Sequence, residues 1–214
     1  MKVLVFAPHN DDEVLGVGGT IARLAREGHK ITVCEATSGP KYEMMQREAR
    51  EAHKVLGASA SVFLNLPVNG LRNMPQTEIN QAVAEAVNAV QPDLAFLPHQ
   101  GDMHTDHSAL AMAAMVALRP VSCPSVRRIY AYETLSETEW NTPTVENAFL
   151  PNTWVDISSD IETKLEAMRC YRSQLRAFPH PRSEQAILAL ARLRGSTVCV
   201  PCAEAFMLIR GIVI

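Results

Sequence analysis

The chain has 214 residues, 47% of them hydrophobic and 20% charged, which is the balance of a soluble globular domain able to bury a core without disulfide staples. Twenty Lys and Arg against 23 Asp and Glu give a formal net charge of -3. That balance argues against capture of a nucleic-acid backbone or an anionic membrane as the main activity.

No apolar run approaches the roughly 18 residues of a spanning helix. The short apolar start, residues 1–8, is followed by Asp11, Asp12 and Glu13 where a cleaved signal would carry small residues. Five cysteines, an odd number, without an export signal point to free thiols in a reducing, cytoplasmic setting. Cys199 and Cys202 have half-zinc-site spacing, but no second pair completes a four-thiolate set.

Strand-like and helical stretches alternate over the first 130 residues. Residues 3–7 read as a buried strand, and 16–27 as a helix stopped by Gly28. Strands follow at 31–36, 61–66, 93–97 and 127–132, separated by helices at 43–56, 77–90 and 106–118. This rhythm predicts an α/β fold, a Rossmann-like doubly wound, mainly parallel sheet with core order 3-2-1-4-5. Beyond about residue 133 the rhythm changes. A polar, turn-rich stretch at 136–152 precedes a short strand at 154–157, helices at 161–177 and 184–193, and a closing strand at 206–214. The reading is a single domain, with a core over about 1–133 and a C-terminal α+β extension over about 134–214 that packs on the core and roofs the site.

The first strand runs into Pro8-His9-Asn10-Asp11-Asp12-Glu13, and the fourth into Pro98-His99-Gln100-Gly101-Asp102-Met103-His104-Thr105-Asp106-His107. In a 3-2-1-4-5 sheet these strands are neighbours, and the crevice outside their carboxyl ends is the switch point where ligands bind. Two segments some ninety positions apart therefore face each other. Two imidazoles and a carboxylate around an open position suit a catalytic zinc. His9 and Asp12, at i and i+3, can grip one ion, with His107 completing the set. Asp11 is then free as a general base. His104, one turn before His107, can donate to a developing oxyanion when protonated. Asp102 and Asp106 are candidates to orient the imidazoles.

Each group has a plainer alternative. Asp11 and Asp12 could simply cap a helix, since carboxylates complement its dipole there. Capping, however, does not call for histidines in both facing loops. His29 and His53 read as ordinary structural residues away from this edge, and His99 ends the fourth strand with no assigned part. A rival enzyme reading rests on Gly16-Val17-Gly18-Gly19, which partly mimics a dinucleotide fingerprint, with Glu35 standing near the place of a ribose-binding acid. The third glycine is missing, and the adjacent carboxylates would repel a pyrophosphate.

Pro8-His9-Asn10-Asp11-Asp12-Glu13, with Asp102-Met103-His104-Thr105-Asp106-His107, resembles the two motifs of the PIG-L/LmbE-like family of zinc-dependent N-deacetylases. Ala203-Glu204-Ala205-Phe206 is similar to that family's terminal element. The resemblance implies His9, Asp12 and His107 as zinc ligands and Asp11 as general base. It implies His104 as the stabiliser of the tetrahedral intermediate, and Asp106 as the carboxylate that tunes that histidine. It further implies substrates bearing an N-acetylglucosamine unit, which lose acetate to give a free amine. Asn10 stands where the family commonly has proline. Arg47, Arg50, Arg72 and Arg182 are candidates for substrate contact.

The expectation is a metal-dependent amidohydrolase acting on a small amino-sugar conjugate, with no nucleic-acid partner and no transmembrane segment, in a chain that could form homo-oligomers. Zn2+ is the expected ion, with Fe2+ or Co2+ compatible with the same donors. The alternatives are a nucleotide-binding oxidoreductase and a non-catalytic metal-binding module.

Overall fold

The residues of the first strand alternate between two cores. In the computed structural model, which describes residues 1–213, Val3 and Val5 of β1 (Lys2–Ala7) join one hydrophobic cluster and Leu4 and Phe6 another. A period of two with both faces apolar is the mark of a strand covered by helices on each side. The same division continues in β2 (Lys30–Ser38), where Ile31 and Val33 face one core and Cys34 and Ala36 the other.

With β3 (Ala60–Pro67), β4 (Leu94–Pro98) and β5 (Arg128–Tyr132), these strands form a parallel sheet in the order β3-β2-β1-β4-β5. Two strands from the C-terminal region extend it. β7 (Ala203–Gly211) pairs antiparallel with β5, and β6 (Thr153–Asp156) pairs antiparallel with β7. One face is covered by α1 (Asp12–Arg26), α2 (Tyr42–Leu56), α5 (Ile161–Cys170) and α6 (Glu184–Ser196). The other carries α3 (Gln76–Val90) and α4 (Thr105–Ala117). No helix among the described residues is long and apolar enough to cross a membrane.

Several boundaries differ from the sequence reading. The first helix begins at Asp12 rather than at 16, so Asp12 and Glu13 occupy its first turn, where the helix dipole favours negative charge. The helix expected over 161–177 stops at Cys170, because Tyr171 leaves helical geometry and buries its ring, its hydroxyl donating to Glu13 at 2.6 Å. The closing strand covers Ala203–Gly211, and residue 214 of the expected strand lies outside the described residues.

The glycines of α1 serve packing. A Cβ at Gly16 would overlap the Tyr132 ring, and one at Gly19 would sit 2.6 Å from Ile157 Cδ1. Nearby, Glu204 of β7 accepts from the amides of Gly19 and Thr20 at 2.9 and 2.7 Å, and Lys164 of α5 donates to Glu204 at 2.6 Å. This buried pair clamps α1 against β7 and α5. Glu35 does not reach the crevice as a ribose ligand would; it is buried and accepts from the Tyr171 hydroxyl at 3.3 Å. Helix–sheet contact, not phosphate binding, therefore explains the glycine run.

Gly16→Ala should destabilise the fold by about 1–3 kcal/mol, the usual cost of overpacking. Thermal unfolding followed by circular dichroism would register the loss, and an unchanged midpoint would mean that Tyr132 can yield without cost.

Candidate active site

The loop after β1 is pinned before its ligands begin. The Pro8 carbonyl accepts from the Thr37 amide at 3.1 Å and from its hydroxyl at 2.8 Å, tying the loop to β2. Asp11 then takes φ 109°, a conformation strained for any side chain, and this turn swings Asp12 back beneath His9. The His9 amide donates to Asp12 Oδ2 at 2.9 Å. From the facing loop, α4 opens with His107 in its first turn.

His9 Nδ1 and His107 Nε2 each lie 3.2 Å from the same oxygen, Asp12 Oδ2. Each imidazole is oriented from its other nitrogen. His107 Nδ1 donates to Asp102 at 2.8 Å, and His9 Nε2 donates to Asp106 at 3.2 Å. Asp102 in turn accepts from the Thr138 hydroxyl at 2.6 Å, and Asp106 from the amides of Asn69 and Leu71 at 2.7 and 3.1 Å. Asp12 Oδ1 and His107 Nε2 are buried without a hydrogen-bond partner. Orphaned donors of this kind, converging from nitrogen and oxygen, fit a cation.

The electrostatics point the same way. Burial pushes both imidazoles towards neutrality, yet hydrogen bonds to Asp106 and Asp12 carry His9 up to about 9. Burial is likewise overcome at His107 by the charge of Asp12 and the bond to Asp102, raising it to about 10. Burial would raise Asp12, but the charges of His107 and His9 beside it hold it well below the usual carboxylate range. The pocket is built to hold positive charge.

Asp11 is different. Burial raises it well above the usual range, the Arg182 guanidinium opposes that rise, and Asp12 and Glu13 add to it. A carboxyl that is both buried and basic is suited to carry a proton. Arg182 Nη1 stands 3.6 Å from Asp11 Oδ2, Nη2 stands 3.5 Å from Glu137, and Nε donates to the Ser136 hydroxyl at 3.0 Å. Of the four candidate arginines, Arg182 meets this centre. Arg50 instead stacks over Phe63 at 4.6 Å, and Arg47 and Arg72 are exposed.

The partners of Asp106 and His104 give two expected roles a different geometry. The Asp106 carboxylate touches His9, not His104; what reaches His104 is the Asp106 amide, which donates to Nδ1 at 3.1 Å. The His104 proton therefore sits on Nε2, facing Asn69 Oδ1 at 2.8 Å. Burial and the charges of His9 and His107 push this ring down to about 4, which favours its neutral form. Asn69, at φ 57°, holds both His104 and Asp106 and carries no motif signal beyond the turn dipeptide Asn69-Gly70.

His99 bonds the Asn147 carbonyl at 3.0 Å and stays outside the ligand set. His53 is not remote from this edge. Its Nε2 lies 3.3 Å from both Glu13 and Glu35 in a buried cluster completed by Tyr171, and Glu13 Oε2 accepts from the strained Asp11 amide at 3.3 Å. The five cysteines are free thiols, and no group of potential metal ligands among the described residues includes one.

Known proteins resemble this chain throughout its length. The PIG-L family model, described as GlcNAc-PI de-N-acetylase, matches residues 4–118. The conserved protein TT1542 of Thermus thermophilus superposes with a TM-score of 0.80 at 30% identity, over 99% of this chain and 96% of that one. YaiS of Escherichia coli, named as an uncharacterized deacetylase, is 28% identical, across 80% of this chain and 90% of its own length. A diacetylchitobiose deacetylase of Thermococcus kodakarensis is 26% identical, across 81% of this chain and 70% of its own.

Asp102→Ala should leave His107 without its orienting acceptor and lower divalent-metal affinity about 10–100-fold. A competitive chelator titration measures this directly. Unaltered affinity would show that His107 is held by packing alone.

Proposed function

The chain belongs to the PIG-L family, and from that premise we propose that it is a zinc-dependent N-deacetylase that removes the acetyl group from an N-acetylglucosamine-type conjugate. The observation that carries this reading is the convergence of His9 Nδ1 and His107 Nε2 on one Asp12 oxygen, beside a second, basic carboxyl in Asp11. Relatives named as deacetylases of acetylated sugars support the substrate class. Two imidazoles and a carboxylate suit Zn2+ first, with Fe2+ and Co2+ compatible.

A divalent cation held by His9, Asp12 and His107 would polarise the amide carbonyl and lower the pKa of water. Asp11 takes a proton from the attacking water as its oxygen bonds to the carbonyl carbon. His104 Nε2 turns its proton from Asn69 to the oxygen of that carbon, donating as a neutral ring. Asp11 then delivers its proton to the nitrogen as the C–N bond breaks, releasing acetate and a free amine. Arg182 limits how far burial raises Asp11, keeping the carboxyl able to give up what it has taken.

The intact base sets this reading apart from a metal-binding module without catalysis. A purely structural site has no use for a buried, basic carboxyl beside its ligands.

Asp11→Asn should lower kcat about 10²–10⁴-fold, the usual worth of a positioned general base. Metal content by elemental analysis should not change. Free-amine release from a panel of N-acetylglucosamine conjugates, after chelation and readdition of Zn2+, Fe2+ or Co2+, provides the assay. Near-normal turnover in this variant, or full activity in the chelated protein, would overturn the mechanism.

A further inference from the structure

Two cavities flank the paired imidazoles. One of about 420 Å³ touches His104, and its walls include Asn69, Met103, Ser136, Glu137 and Trp140. The other, of about 270 Å³, touches His9 and is walled by Asn10, Lys41, Met45 and Val68. The rings of His9 and His104 have centroids 4.4 Å apart, so both spaces border the centre.

The chain's own groups decide which half of an amide goes where. Asp11, which must reach the departing nitrogen, is joined through Arg182 to Ser136 and Glu137, and both line the larger cavity. The amine half therefore belongs on the His104 side. The smaller, mainly apolar space on the His9 side is left for the acyl group.

Trp140 dominates the rim of the larger cavity. It is 54% exposed, and Met103 beside it is 57% exposed. Exposed aromatic surface next to a reactive centre calls for a covering partner. The backbone carrying it is tied to the catalytic loop on both sides. Thr138 donates to Asp102, Asn141 donates to the Gly101 carbonyl at 2.8 Å, and the Met103 amide donates to the Glu137 carbonyl at 3.1 Å. The backbone that carries the indole is thus held in register with the residues that orient His107. The same cavity is lined by Asn69, Ser136 and Glu137, which bring to it an amide, a hydroxyl and a carboxylate. A ligand matching this set has one apolar face and a perimeter of hydroxyl groups, as a pyranose ring does.

We propose that Trp140, backed by Met103, is the platform on which the sugar ring of the substrate lies, making the cavity a pyranoside subsite that sets specificity for the amine half. The proposal rests on the deacetylase reading of the adjacent centre.

The methyl glycoside of N-acetylglucosamine is the probe, against N-acetylethanolamine as an acetamide without a ring. Trp140→Ala should raise KM for the glycoside about tenfold, the scale of one aromatic contact. It should leave kcat, metal content and turnover of N-acetylethanolamine within about twofold, a margin well under one such contact. Trp140→Phe should recover most of the loss. In a Trp154→Phe background, where Trp140 is the sole tryptophan, its fluorescence should shift on adding the glycoside. An unchanged KM, a kcat loss shared by both substrates, or silent fluorescence during active turnover would overturn the platform. If no acetylated sugar is turned over but the fluorescence responds, the deacetylase reading fails and the subsite stands.

Discussion

One carboxylate oxygen organises this molecule. Asp12 Oδ2 lies within 3.2 Å of imidazole nitrogens from two loops and accepts the backbone amide of His9 as well. A fully buried charge with that many partners tolerates few arrangements, because desolvation is costly unless each partner is in place. The strained turn at Asp11, the start of α1 and the start of α4 all meet that demand. Neither loop could relax without exposing the other's ligand to an unbalanced charge.

The supports of this point come from separate parts of the fold. Asp106 fixes His9 and is itself held by the loop after β3 through Asn69 and Leu71. Asp102 fixes His107 and is held by Thr138 from the C-terminal region. Behind Asp11, Glu13 meets Tyr171 and His53, while Glu204 and Lys164 clamp the body of α1. The C-terminal region therefore does more than continue the sheet. It supplies Arg182 to the proposed base and Trp140 to the rim of the cleft. Preorganisation of this kind lets a fixed electrostatic environment act without reorganising during the reaction.

Much of the fold was legible because periodicity reports directly on burial. The strand order followed from β-runs alternating with helices, and the facing of the two loops followed from that order. The meeting of His9, Asp12 and His107 was legible for the same reason, since the chemistry lies in consecutive residues at strand ends. What escaped depends on irregular backbone. Asn69 and Ser136 sit at positive φ in loops without a periodic signal, and Arg182, a candidate for substrate contact by sequence, pairs with Asp11 from a turn more than 170 positions further along the chain, a partner no pattern announces. The end of α5 at Cys170 was hidden because Tyr171 is drawn out of the helix by a buried carboxylate on another element. Asp106 shows a different limit: its place in the motif suggested His104 as partner, whereas its carboxylate reaches His9 and only its amide reaches His104.

Two further clusters compete for a cation on composition alone, His9 with His104 and Asp106, and Glu13 with Glu35 and His53. Their partners separate them from the proposed site. Asp106 is already satisfied by two amides and His9, and the Glu13 group has Tyr171 donating into it. Anomalous diffraction at the zinc edge from crystals of the zinc-loaded protein decides among the three. The account predicts one peak within about 2.0–2.2 Å of His9 Nδ1, an Asp12 oxygen and His107 Nε2, the distances zinc adopts with such donors. A peak on His9 Nε2 with His104 and Asp106, or one among Glu13, Glu35 and His53 with none at Asp12, would contradict it.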